Sequence, residues 1–170
     1  MSTLFVGHEP VVEAWLERRR ALGLDGRDEV WEGVLHVTPP EHGRDGAVAM
    51  DLQALFRAPA RAAGLRAGGS VNVGVPRDHR IPDLVWHRGS PDALYFATVA
   101  IAVEVLSPGD ETWQKFGFYA AHGVEELWVV DPLTRTARVW ALVDGAYDER
   151  ENAPLLGLST ADVVAGVDWP

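Results

Sequence analysis

Val99-Ala100-Ile101-Ala102-Val103-Glu104-Val105-Leu106 reads as the most apolar strand of the chain, broken by one carboxylate. Apolar residues at successive positions belong to a strand covered on both faces, inside a sheet with packing on each side. Glu104 is the anomaly in that strand. An unpaired carboxylate there costs several kcal/mol or takes up a proton. A cation, a metal ion or a second acid sharing a proton would compensate it. So would a strand end open to water past Ser107.

Reading outward, Ser107-Pro108-Gly109-Asp110 is a turn, and Asp110 or Thr112 can cap the helix expected over residues 112–122. Gly123 sits where a C-terminal glycine cap belongs. Lys115 lies one to two turns into this helix. If the helix packs back on the sheet, a lysine stem spans the remaining gap to Glu104. The spacing expects Trp113, Phe116 and Ala120 to face the sheet, with Lys115 and Tyr119 on an adjacent flank. Upstream, Pro82-Asp83-Leu84-Val85-Trp86 begins another short strand, and pairing it with the Glu104 strand would set Asp83 beside Glu104. Two carboxylates suit Mg²⁺, which prefers oxygen ligands and keeps several waters. A lysine beside them suits phosphodiester hydrolysis, orienting the nucleophile and offsetting developing negative charge. Taken singly, each residue has an ordinary reading: Asp83 as turn chemistry, Lys115 as a solvated helix lysine.

The remaining elements fill in around this core. Residues 11–22 read as an amphipathic helix with Val11, Ala14, Trp15 and Leu22 on one face. Residues 29–37 read as a hairpin about Glu32-Gly33. A second helix starts at His42 or Asp45 and runs to about Ala58, with Val48, Leu52 and Leu55 inward and Pro59 ending or kinking it. Strands are expected over 68–75, 81–87, 95–106, 126–130 and 136–143, and a last helical turn or two over 160–166. The expectation is a mixed α/β fold, with a central mixed sheet flanked by helices and an N-terminal helix and hairpin.

At 170 residues, 47% hydrophobic and 24% charged, the chain fits one domain with a real core. No cysteine is present, which excludes a thiolate nucleophile and a cysteine-based zinc site. No apolar run approaches the ~20 residues needed to cross a bilayer. The first ten residues show no secretory signal pattern, so the expected compartment is the cytoplasm and no membrane partner is expected. The net charge of -10 argues against a surface built to coat nucleic acid. It does not argue against a phosphodiesterase site, which is itself made of carboxylates. Lys115 is the single lysine beside 14 arginines, a skew that fits GC-rich coding and singles that position out as a candidate for needing an amine specifically. The six histidines form no HExxH pair, and Ser107 lacks a nucleophile elbow.

Pro82-Asp83, Val103-Glu104-Val105-Leu106-Ser107, Lys115, Tyr119, Gly123-Val124 and Trp128-Val129-Val130-Asp131-Pro132 follow one another in an order that resembles the Uma-type putative restriction endonuclease family. That family lies within the PD-(D/E)XK nuclease superfamily. Glu29 to Leu35, Pro39-Pro40 and His42 resemble its N-terminal hairpin and helix start. The superfamily motif sets a lysine two residues after the acid, where this chain has Leu106; Lys115 matches the family's placement on the following helix. The resemblance implies a single restriction-endonuclease-like domain over residues 1–170, cutting phosphodiester bonds of DNA. It implies Asp83 and Glu104 as ligands of Mg²⁺ or Mn²⁺, the Val105 carbonyl as a further ligand, and Lys115 as the catalytic amine. Glu29 and His42 match positions kept near the site. Glu29 would be a supporting acid or a strand-end charge; His42 would assist proton transfer, contact phosphate, or simply start a helix. By analogy with the fold, a homodimer would suit cutting both strands. Two alternatives remain: an inactive nuclease-fold module acting through protein binding, and a metal-independent glycosidase using the two acids, which leaves Lys115 without a role.

Overall fold

The computed structural model describes residues 2–3, 10–39 and 42–170. Strand β1 (Ser2–Thr3) precedes α1 (Pro10–Ala21), the hairpin β2 (Glu29–Trp31) and β3 (Val34–Val37), and the long helix α2 (Gly43–Ala62). Five short strands follow: β4 (Arg66–Gly68), β5 (Asn72–Val75), β6 (Asp78–Arg80), β7 (Leu84–His87) and β8 (Tyr95–Phe96). Then come β9 (Ile101–Val105), a 3-10 turn at Thr112–Lys115, α3 (Phe116–Ala121), β10 (Glu126–Asp131), β11 (Thr136–Val143), β12 (Ala146–Arg150) and α4 (Thr160–Gly166).

The fold is mixed α/β, but its strands divide between two six-stranded sheets instead of one central sheet. One runs β1-β3-β2-β6-β5-β8 and the other β12-β11-β10-β9-β7-β4. Each holds one parallel pair, β5 with β8 and β9 with β10. The stretch 68–75, expected as one strand, is cut by Gly69-Ser70-Val71. Gly68 ends β4, which pairs with β7 in one sheet, and residues 72–75 form β5, which pairs with β6 and β8 in the other. The chain crosses between sheets there.

Side-chain alternation along β9 explains the layers. Ile101, Val103 and Val105 point into a larger core with Val48, Leu52 and Phe56 of α2 and Val163 of α4. The Phe56 ring packs between Trp86 and Trp128, at centroid distances of 5.2 and 5.0 Å. Ala102, on the opposite face, joins a smaller core with Val73, Val85, Phe96, Leu127 and Tyr119. That core contains side chains from both sheets. Glu104 shares the Ala102 face, because the strand period is two. All five β9 residues are buried, as the apolar run requires.

Several local expectations need correction. Helix α2 continues through Pro59 to Ala62, because Ala60 is packed into the larger core and anchors the last turn there. Helix α1 buries none of its residues, and Trp15 lies under the Arg19 guanidinium, not in a core. The face of residues 112–122 is also turned. Thr112, Lys115 and Tyr119 are buried, whereas Trp113 is 48% exposed and lies edge-on to Trp140. The 3-10 start accounts for this, since its three-residue period aligns Thr112 with Lys115 before the α-helical period carries the stripe to Tyr119. The hairpin turn at Glu32 and Gly33 has both φ values positive (50° and 87°), the backbone that a two-residue hairpin loop needs. Gly123 adopts φ 70° just past α3, as expected of a C-terminal cap.

Candidate active site

Strand register brings the first two acids together. Leu84 of β7 pairs with Val103 of β9, so Asp83 and Glu104 occupy the next step of the antiparallel pair. The Asp83 N–H donates to the Val103 carbonyl at 3.0 Å, and the Val105 N–H donates back to Asp83 Oδ2 at 2.7 Å. The carboxylate is thereby fixed at the strand start, and the Arg27 guanidinium grips its other oxygen. Pro82 brings no N–H to this junction.

Lys115 ends the 3-10 turn and points back at β9. Its Nζ donates to both Glu104 oxygens at 3.1 Å and to Glu29 Oε1 at 3.0 Å. Glu29 comes from β2, in the other sheet, so this ammonium ties the two sheets together. The Ile81 N–H (2.7 Å) donates to Oε1 of Glu29 and the Trp31 indole (2.6 Å) to Oε2. The Tyr119 hydroxyl, one α-helical turn beyond Lys115, donates to Glu104 Oε1 at 2.5 Å. Glu29, Glu104 and Lys115 are all at most 3% exposed.

The electrostatics are dominated by burial. Loss of water pushes the Glu104 carboxyl up to about 8; Lys115 opposes this, while Asp83 and Glu29 add to it. Burial likewise raises Asp83, against the pull of the Val105 N–H and Arg27. For Lys115, burial disfavours the charged form, but Glu104 and then Glu29 outweigh it and hold the amine protonated well above its ordinary range. Burial and the Glu104 charge raise the Tyr119 hydroxyl, which stays a donor. The group holds more acid than its cations neutralise.

These residues face a cavity of about 80 Å³, room for a few waters or a partly hydrated ion. Among the described residues, its wall includes the carboxylates of Glu29, Asp45, Asp83, Glu104 and Asp110, the cations Arg27 and Lys115, and Val105. Asp83 and Glu104, with a backbone carbonyl at Val105, form an oxygen set of the kind Mg²⁺ takes, and the acid excess at the wall fits a dication. No three His, Cys, Asp or Glu side chains among the described residues are arranged as a metal site, so the candidate rests on two carboxylates.

Of the sequence-derived residues, Asp83, Glu104, Val105, Lys115 and Glu29 share this wall. His42 does not. It is the exposed N-cap of α2, with its carbonyl accepting from the Asp45 and Gly46 N–H groups. Sequence reasoning did not place Arg27, Asp45 or Asp110 at the site, having read Asp45 only as a helix start and Asp110 only as a cap. Asp45 is 2% exposed and takes a 2.7 Å bond from the Ser107 hydroxyl. Its signal was available, because it lies three and seven residues before the buried Val48 and Leu52 on one helix face. Asp110 accepts from the Thr112 N–H and hydroxyl, at 2.9 and 2.7 Å, and so starts the 3-10 turn.

A family model described as "Uma2: Putative restriction endonuclease" matches residues 15–169, in agreement with the resemblance read from the sequence. Among solved structures, the chain is similar to a putative nuclease belonging to DUF820 from Anabaena variabilis. The identity is 17% over 82% of this chain and 90% of that one, with a TM-score of 0.65. That likeness is one of fold. No curated protein matches the chain in sequence. No described helix is long and apolar enough to cross a membrane.

Proposed function

The chain belongs to the Uma2 putative restriction endonuclease family, and on that premise we propose that it is a metal-dependent endonuclease hydrolysing phosphodiester bonds of DNA. In this reading Asp83, Glu104 and the Val105 carbonyl hold Mg²⁺ or Mn²⁺, and Lys115 is the catalytic amine. One observation carries it: among the described residues five carboxylates, three of them buried, face two cations around a cavity of about 80 Å³, and acid in excess is what an oxygen-liganded dication relieves. When bound, the ion polarises the phosphate and acidifies a water.

The rest is done by the protein's own side chains. Lys115 is held protonated by Glu104 and Glu29, so it supplies fixed positive charge beside the reacting phosphate and does not take a proton as a base. Glu29, fixed by the Ile81 N–H and the Trp31 indole, aims that ammonium. Tyr119 holds the Glu104 rotamer. His42, exposed at the start of α2, contacts the backbone phosphates outside the cavity. The chain acts as one domain over residues 1–170, in the cytoplasm, and a homodimer supplies one site per strand. Support for one domain comes from β7, β9 and β10, which feed alternate residues into both cores.

The test is calorimetric titration of Mg²⁺ and Mn²⁺ into the wild type and Glu104→Ala, with plasmid cleavage on the same samples. Saturable binding and cleavage, both lost in the variant, are expected. A folded wild type that binds neither ion and cuts nothing overturns the reading. One observation favours a second reading, an inactive nuclease-fold module acting through a protein partner: Lys115 Nζ has a carboxylate oxygen for each of its three donors. A structural ion pair of that kind predicts no ion binding, with Glu104→Ala costing stability alone.

A further inference from the structure

The sheet that holds β2 has a second opening, on the face turned away from the catalytic cavity. Glu29 points into that cavity, so the next residue, Val30, points the other way, because side chains alternate along a strand. Strand register carries this outer face across the sheet. Val30 stands opposite Leu35 of β3 and His79 of β6, and Asn72 of β5 stands beside Tyr95 of β8. Leu16 and Arg20 of α1 and Asp25 of the following loop share with these residues a cleft of about 420 Å³, within the range of small-molecule sites. Because α1 buries none of its own residues, the cleft is not filled from that side.

Its polar groups lack partners among the described residues. His79 is 6% exposed, and its Nε2 bonds the Asp28 carbonyl at 3.3 Å. That nitrogen therefore carries the ring proton, and Nδ1 is a buried lone pair that meets no donor among the described residues. The Asn72 side-chain N–H donates to the Leu94 carbonyl at 2.9 Å, which leaves its Oδ1 as a second acceptor. Arg19 is taken up by Asp28 and the Leu24 carbonyl, whereas the Arg20 guanidinium and the Asp25 carboxylate make no bond to a described residue. The Tyr95 ring meets His79 edge-on at 5.4 Å.

This inventory specifies a ligand. Two acceptors ask for an edge bearing N–H donors, since a buried acceptor left unmet costs free energy. The Tyr95 ring beside Leu16, Val30 and Leu35 suits a flat heterocycle. An unpaired guanidinium suits a phosphate, and an unpaired carboxylate accepts from sugar hydroxyls. We propose that the cleft binds a nucleoside monophosphate whose base carries an exocyclic amine, with the base edge on His79 and Asn72, its ring against Tyr95 and its phosphate on Arg20. The site lies on the opposite face of β2 from Glu29 and does not depend on the nuclease reading.

The experiment is calorimetric titration of adenosine monophosphate, uridine monophosphate and adenosine into wild type, Arg20→Ala, His79→Phe and Glu104→Ala. EDTA is present throughout, so that no phosphate binds through a metal ion, and circular dichroism checks folding. Wild type should bind adenosine monophosphate saturably. Uridine monophosphate, which presents a carbonyl in place of the amine, should bind about tenfold more weakly or worse, and adenosine about tenfold more weakly for want of the phosphate. Arg20→Ala should bind adenosine monophosphate no better than wild type binds adenosine. His79→Phe should lose the preference for the amino base; if that variant does not fold, the exposed Arg20→Ala and the wild-type comparison of the two bases decide. Glu104→Ala should match wild type. Absence of binding to wild type, equal affinity for the two bases, or unchanged affinity in Arg20→Ala would each overturn the proposal. Loss of binding in Glu104→Ala would overturn it too, by moving the nucleotide to the catalytic cavity. The nuclease reading would survive all of these outcomes, because it assigns no role to Arg20, Asn72, His79 or Tyr95.

Discussion

Glu104 governs the chemistry of the site at the scale of single residues, and its titration is measurable. Burial holds its carboxyl at about 8, against an ordinary value of 4.5. The folded state therefore keeps a proton that the unfolded chain has already released, and this group's contribution to stability falls as pH rises from about 4.5 to about 8. In EDTA, the urea midpoint of the wild type should decline relative to that of Glu104→Gln across that window and run parallel to it outside; curves parallel throughout would contradict the raised value. Lys115→Met removes the ammonium that Glu29 and Glu104 share. The variant should lose about 3–5 kcal/mol in urea unfolding at pH 8, because two buried carboxylates are left uncompensated. These two residues were legible in the sequence for definite reasons: Glu104 interrupts an apolar run, and Lys115 is the single lysine. Glu29 entered only through the family resemblance, since a charged residue opening a hairpin strand has many ordinary explanations. Arg27 carried no signal. Its importance arises from a contact 56 positions away in sequence, and the chain has 14 arginines from which to choose.

At the scale of elements, the segment from β9 through α3 to β10 positions the site, and its ends are set by local chemistry. Asp110 starts the 3-10 turn and Gly123 ends α3 at φ 70°. Nothing crowds a Cβ at Gly123 beyond the Thr98 hydroxyl at 3.9 Å. Gly123→Ala should therefore cost about 1–2 kcal/mol in chemical denaturation from backbone strain alone. Ion affinity should be unchanged, because Lys115 and Tyr119 lie upstream of the cap. A changed ion affinity would show that the end of α3 is coupled to the site. Turn chemistry also explains which elements could be read. The Glu32-Gly33 hairpin and the Gly123 stop were visible because glycine in a left-handed turn leaves a mark. Asp144-Gly145 leaves the same mark, with φ values of 49° and 83°, and announces the β11–β12 hairpin. The sequence reading passed over it because β12 is largely exposed and lacks an apolar alternation. The split of residues 68–75 and the run of α2 through Pro59 were not legible. Both are decided by what packs against them, not by local propensity.

At the scale of the molecule, the site is a seam. Glu29 belongs to one sheet and Glu104 to the other, with Asp83 just ahead of β7, and Lys115 bonds across. The two cores meet the same strands: Trp86, Ile101, Val103 and Trp128 serve the larger, Val85, Ala102 and Leu127 the smaller. Strands shared in this way cannot lose one core and keep the other, so the two sheets should melt together. Leu52, fully buried against the larger core, offers the test. Leu52→Ala should cost about 2–5 kcal/mol and shift the urea midpoints of tryptophan fluorescence and far-ultraviolet circular dichroism by the same amount. It should also lower the midpoint at which Mg²⁺ binding is lost, although Leu52 does not line the cavity, because the cavity exists only while both sheets are joined. Separate transitions, with ion binding following one of them, would divide the chain into two folding units. The ion pair between Lys115 and Glu29 would then join units that fold on their own, instead of closing a single one.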